Sequence, residues 1–173
     1  MPGSRRLRGA LAEAQAIRVP AVYVETLITL QREFGHSIVL LDEGREQIRR
    51  FNCFAYAPGI WDNLVYQVMV SGHAEDQLAL INSALVSKWI DQGFPAEILP
   101  GDAGLGDILA YFYRGQLTHF ARFEAAGVLR SKWGANEVHE HRIWEVPADY
   151  GNKVRYFQRP EAGAILARLA NLQ

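Results

Sequence analysis

Cys53 is the one cysteine in a chain of 173 residues. A single thiol forms no internal disulfide and no cysteine-rich zinc site. What remains for it is packing, an intermolecular bond or nucleophilic chemistry. It follows Asn52, a residue type suited to capping a helix, and it precedes Phe-Ala-Tyr-Ala57, so the run predicts a helix that begins at the thiol. Backbone N–H groups at such a start favour a thiolate. His119 lies in an apolar run that reads as a strand. A helix-borne thiol facing a strand-borne imidazole is a workable nucleophile and base: the ring takes the thiol proton and later returns it to a leaving group. The N–H groups near Cys53 would then hold a tetrahedral oxyanion. The competing reading of Cys53 is a small buried hydrophobe.

Other side chains carry weaker signals. Asn52 suits a cap, with orientation of backbone or substrate as the second role. Lys132 suits an oxyanion or a substrate carboxylate, against the ordinary fate of a solvated lysine. Trp61 and Trp133 would line a substrate cleft or fill the core, where large aromatics contribute most. His139 and His141 share one strand face because side chains alternate with period two. No further ligand stands at diagnostic spacing beside them, so neither a metal nor another cofactor is expected. The glycine-rich stretch 100–106 precedes a strand instead of opening a helix, which excludes a phosphate loop.

These residues need elements to hold them. Good helix formers fill 6–17, and Pro20 suits the first turn of a second helix over 21–34, closed by Gly35. Residues 37–41 read as a short buried strand or connector. Residues 74–92 predict an amphipathic helix with Leu78, Ile81, Leu85, Trp89 and Ile90 on one stripe, and 94–99 a short strand. From Asp107 the period changes to that of an antiparallel meander: 108–113, 117–124, 128–133 and 138–144, with 154–157 as its fifth strand. A helix over 162–172 covers the end. Helices followed by a run of strands predict one α+β domain over 1–173: a helical region at 1–50, a core at 51–160 and a C-terminal helix at 161–173.

Composition narrows the partners. Eighteen basic residues face nineteen acidic ones, a net charge of −1, which supplies no field for nucleic acid or an anionic membrane. No apolar run approaches the roughly 18 residues of a membrane span, and the first residues lack the apolar stretch of a signal peptide. The expectation is a cytoplasmic protein with a reduced thiol, its oligomeric state open, or one exported by a dedicated secretion system.

The spacing of Asn52-Cys53, Gly106-Asp-Ile-Leu-Ala-Tyr-Phe112 and Leu117-Thr-His-Phe-Ala-Arg-Phe123 resembles the NlpC-type branch of the papain-like cysteine hydrolases over roughly residues 50–135. The resemblance implies a helical part packed on an antiparallel sheet of about five strands, Cys53 as nucleophile and His119 as base. The usual Asp before the cysteine is Asn52 here, and the third, orienting position falls at Ser131. Glu140 is the first choice for that third role, since a carboxylate on the imidazole fixes its tautomer; Ser131 and His141 follow. The later Ser131-Lys-Trp-Gly134 and Glu140-His141 motifs, with Asn52-Cys-Phe-Ala-Tyr56, are similar to an uncharacterised bacterial family. The implied reaction is attack on an amide through an acyl-thioester, without a cofactor. The substrate would be a peptide, a peptidoglycan fragment or a protein amide. The rival expectation is a papain-like scaffold without activity that serves as a binding module.

Overall fold

The computed structural model describes residues 2–43, 51–71 and 81–171. Helices α1 (Pro2–Gln15) and α2 (Pro20–Phe34) come first, followed by β1 (Val39–Leu41) and the single turn α3 (Cys53–Tyr56). Then come α4 (Leu64–Ser71), α5 (Ser83–Asp91), β2 (Glu97–Ile98), β3 (Ile108–Tyr113), β4 (Gln116–Ala125), β5 (Val128–Lys132) and β6 (Val138–His141). A 3-10 turn at Ala148–Tyr150, β7 (Lys153–Phe157) and α6 (Ala162–Ala170) complete it. Of the helix expected over 74–92, α5 is present and shorter: Asn82, extended and accepting from Leu85 N, caps it, so Ile81 of the expected stripe precedes the helix; residues 74–80, with Leu78, lie outside the described residues, as does most of the polar turn at 42–46. Helix α4 and the 3-10 turn were not expected from the sequence.

The α+β class holds, and among the described residues the sheet has seven strands instead of five. Its order is β1-β6-β5-β4-β3-β7-β2, antiparallel throughout. The meander β3–β6 and β7 form the centre. The two short segments ahead of the meander supply the edges, pairing β1 with β6 and β2 with β7. Strand β6 ends at His141, short of the predicted 144, because Glu145 draws the chain aside: its carboxylate accepts from Arg142 N and from the Ser37 amide and hydroxyl.

Alternation along the strands sends side chains to two separate cores. Ile108, Ala110, Phe120, Val138 and Phe157 pack with α3, α4, α5 and α6 in one buried cluster that includes Cys53. Leu109, Tyr111, Ala121, Leu129 and Trp133 pack on the other side under α1, α2 and the 3-10 turn. Leu11 of α1 and Tyr23 and Leu27 of α2 anchor that cover, each buried side chain contributing about 1.5–3 kcal/mol. Gly35 closes α2 at φ 67°, donating its N–H to Gln31 O. Strand β4 carries a bulge at Thr118, since Phe112 pairs with Leu117 and Tyr111 with His119.

Candidate functional site

Cys53 opens α3 as expected. Asn52 caps the turn, its Oδ1 accepting from Phe54 N and Ala55 N at 2.9 and 3.2 Å, and its Nδ2 donating to Ile81 O at 2.6 Å. The helix has only four residues, so its thiol faces individual N–H groups and not a helix macrodipole. Burial pushes the Cys53 pKa up to about 11, opposed by the Phe120 backbone N–H, the Lys132 ammonium and the N–H groups of Cys53 and Phe54. The Phe120 N–H is free for this. Strand β4 pairs with β5 only at Arg122, Phe123 and Ala125, so the stretch of β4 before Arg122 has no partner on that side. The sulfur sits at this opening in the ladder, beside the residue that follows His119.

His119 is rooted on the other side of β4. It pairs with Tyr111 in register, and its ring lies flat on Tyr150, centroids 3.8 Å apart and planes at 12°. No hydrogen bond joins its ring to Cys53 among the described residues. Its Nε2 is buried with no hydrogen-bond partner. Burial, followed by His141, His139 and Lys132, holds its pKa well below the ordinary histidine value, so the ring is neutral.

The orienting residues expected for His119 do other work. Glu140 faces Arg130 across the ladder and pairs with it at 3.1 Å, in a network with Glu124 and Glu43. It does not touch the imidazole, because alternation along β6 places it on the opposite side from His139 and His141. The Ser131 hydroxyl donates to His141 Nε2 at 2.8 Å and accepts from Trp133 Nε1 at 2.9 Å, while His141 Nδ1 donates to Arg142 O. Ser131 and His141 thus satisfy each other and leave His119 alone. Trp133 is fully buried and stacks on His139 at 4.0 Å, a core role and not a cleft wall. Trp61 is half-buried against Phe51 and Tyr56. Lys132 is fully buried beneath the Phe51 ring. His139 Nε2 and the Tyr23 hydroxyl share a hydrogen bond of 2.6 Å. No group of three His, Cys, Asp or Glu among the described residues is placed to hold a metal.

Asp107, which the resemblance places at the start of a strand, is structural. Its carboxylate accepts from Gly104 N at 2.9 Å and Arg159 N at 3.1 Å, tying the loop before β3 to the segment after β7.

A groove of about 570 Å³ opens at Thr118 and Tyr150, and neither Cys53 nor His119 lines it. One wall is the end of α1 with Gln15 and Arg18; the other holds Thr118, Gly134, Asp149 and Tyr150. The Gln15 side chain donates to the Tyr150 hydroxyl at 2.9 Å, so α1 holds in place the ring that covers the imidazole. Thr118, the bulged residue, donates from its hydroxyl to the Tyr150 carbonyl. Gln15 and Tyr150 escaped the sequence reading. The available signal was the tight Pro147-Ala-Asp-Tyr-Gly151 run, which reads as a turn without showing what it packs on.

No helix among the described residues is long and apolar enough to cross a membrane. Comparison with curated proteins and with solved structures gives no match. One family model matches residues 44–158, which spans α3 to β7 and leaves α1, α2 and α6 outside. The chain therefore belongs to the family described as a domain of unknown function, DUF7689.

Proposed function

We propose that this chain is a thiol hydrolase of amide bonds on a papain-like, NlpC-type scaffold, with Cys53 as nucleophile and His119 as proton acceptor and donor. The observation that carries the reading is the gap in the ladder of β4 ahead of Arg122, where the Cys53 sulfur lies on one side beside Phe120 and the preceding residue, His119, carries a buried unpartnered nitrogen on the other. The Cys53 sulfur meets the N–H of Phe120, the next residue to His119, and the buried Nε2 of His119 has no partner. A buried polar nitrogen without a hydrogen bond costs stability, and such exceptions concentrate at functional sites. In the reaction the thiol proton passes to Nε2 and the sulfur bonds to the amide carbon. The oxyanion rests on backbone N–H groups around Cys53, and the tetrahedral species collapses to a thioester as the amine leaves with the proton. Water, deprotonated by the same imidazole, then releases the acid.

The groove suits a polar, amide-rich chain. Gln15, Thr118 and Asp149 offer donors and acceptors along it, and a shift of the Tyr150 ring would connect it to His119. Peptides, peptidoglycan fragments and glutamine-bearing proteins are the substrate classes to screen. The expected result is amide cleavage or deamidation by the wild type and none by Cys53→Ala with an unchanged circular dichroism spectrum. Retained activity in Cys53→Ala overturns the reading.

A second reading rests on a specific observation. The thiol in the closed site is pushed up to about 11 and shares no hydrogen bond with the imidazole, which fits a papain-like scaffold that binds a partner without catalysis. Carboxamidomethylation of Cys53 at pH 7 separates the two: labelling faster than free cysteine favours the hydrolase, and slower labelling favours the binding module.

A further inference from the structure

Lys132 is buried, and among the described residues no carboxylate pairs with it. Its Nζ donates to Gly134 O at 2.6 Å and lies 5.6 Å over the Phe51 ring. An ammonium has three N–H groups, and one carbonyl and one ring face leave it under-satisfied in a dry interior. Such a group persists where a negative charge arrives that the resting structure does not hold. Lys132 pairs with Val138, a residue of the core that contains Cys53 and Phe51, so the ammonium is on the thiol's side of the sheet.

The titratable neighbours are Cys53 on α3, His119 on β4, His139 and His141 on β6, and Glu137 in the turn between β5 and β6. The three imidazoles are buried and add no negative charge. Lys132 works against an imidazolium at His119, as do the two other histidines. An anion formed on the side of the sheet that holds Lys132 would balance its ammonium while the imidazoles stay neutral. Cys53 is the group on the side of Lys132 that can become that anion. Burial lowers the Lys132 pKa to about 8, opposed first by Cys53 and then by Glu137, so the ammonium is still the major form at pH 7.

We infer that the Lys132 ammonium is the charge partner of the Cys53 thiolate. This rests on the thiol-hydrolase reading above and adds to it a positioning group for the thiolate from the Ser131-Lys132-Trp133-Gly134 run. The S–H bond breaks, the proton passes to water, and the negative sulfur shares its side of the sheet with the Lys132 ammonium; no electrons are gained or lost. The carbonyl of Gly134, which lines the groove, fixes the ammonium from the groove side.

The test follows the rate of Cys53 labelling by iodoacetamide from pH 7 to 12, by mass spectrometry, in the wild type, Lys132→Met and Lys132→Arg. The expected result is a labelling midpoint raised by about one pH unit in Lys132→Met, a roughly tenfold slower reaction at pH 7, with Lys132→Arg within about threefold of wild type. Equal midpoints in wild type and Lys132→Met overturn the inference. Wild-type labelling no faster than free cysteine at every pH overturns the hydrolase reading itself. Should Lys132→Met fail to fold, the Lys132 Nζ titration is followed by NMR in wild type and Cys53→Ala. A midpoint that falls when the thiol is removed supports the pairing, and an unmoved one overturns it.

Discussion

The imidazole of His119 lies parallel to the ring of Tyr150, 3.8 Å from centroid to centroid, and the hydroxyl of Tyr150 is held by Gln15 of the first helix. The candidate base is thus covered by a side chain 31 positions later in sequence and locked by one more than 100 positions earlier. Tyr150→Phe removes the hydrogen bond and keeps the stack, and it is expected to cost about 1 kcal/mol. Tyr150→Ala removes both and is expected to cost about 3–5 kcal/mol. Urea unfolding of the two variants checks this; equal losses would show that the stack contributes nothing.

Acid stability follows from the buried histidines. Burial lowers the His141 pKa to about 4 in the folded chain, from an ordinary value of 6.5. The unfolded chain therefore binds the extra proton first, and stability falls as pH drops from about 6.5 to about 4, by about 3 kcal/mol from this group. Below that window His141 adds nothing further. His119 and His139 act in the same direction. Burial pushes Glu145 up, but the Ser37 and Arg142 donors outweigh it and hold its carboxyl below the ordinary value, so its loss comes at lower pH. Urea midpoints measured between pH 7 and 4.5 should fall steadily in wild type and less in His141→Asn. A flat wild-type profile over that range would refute the account.

The turn that presents Tyr150 depends on Gly151. Its φ is 100°, and a Cβ there would stand 2.0 Å from Phe112 O and 2.3 Å from Phe112 C. The obstacle is backbone of a central strand, which cannot step aside. Gly151→Ala is expected to cost about 4 kcal/mol or more and to lower the yield of soluble protein. A loss under about 1 kcal/mol by chemical unfolding would mean that the turn relaxes freely.

Much of the scaffold was legible because local signals were strong. Asn52 reads as a cap and is one, and Pro20 and Gly35 bracket a helix at the expected places. The alternating runs from Ile108 onward read as a meander and form one. What escaped was the side to which each strand turns its residues. A single bulge at Thr118 resets the alternation between Leu117 and His119, and no sequence period announces it. Glu140 reads as an orienter because a carboxylate on the imidazole would fix its tautomer, yet its place between His139 and His141 puts it on the other side of the sheet, facing Arg130. The edge strands β1 and β2, three and two residues long, fall within the short strands expected at 37–41 and 94–99, but segments so short do not announce that they pair with β6 and β7.

Ser131 gives the sharpest separation between a structural and a catalytic third residue. Its hydroxyl is fully buried, donates to His141 and accepts from Trp133. Ser131→Ala strips one partner from an imidazole nitrogen and one from an indole N–H, both in a dry interior. Each orphaned group costs about 1–3 kcal/mol, so the variant is expected to lose about 2–4 kcal/mol of stability and to shift the fluorescence of Trp133. The rate and pH profile of Cys53 labelling should stay within about twofold of wild type, because the hydroxyl makes no bond to His119 and a twofold change is under half a kcal/mol. A stable Ser131→Ala protein with a displaced labelling profile would instead place the serine in the reacting group and reverse the assignment.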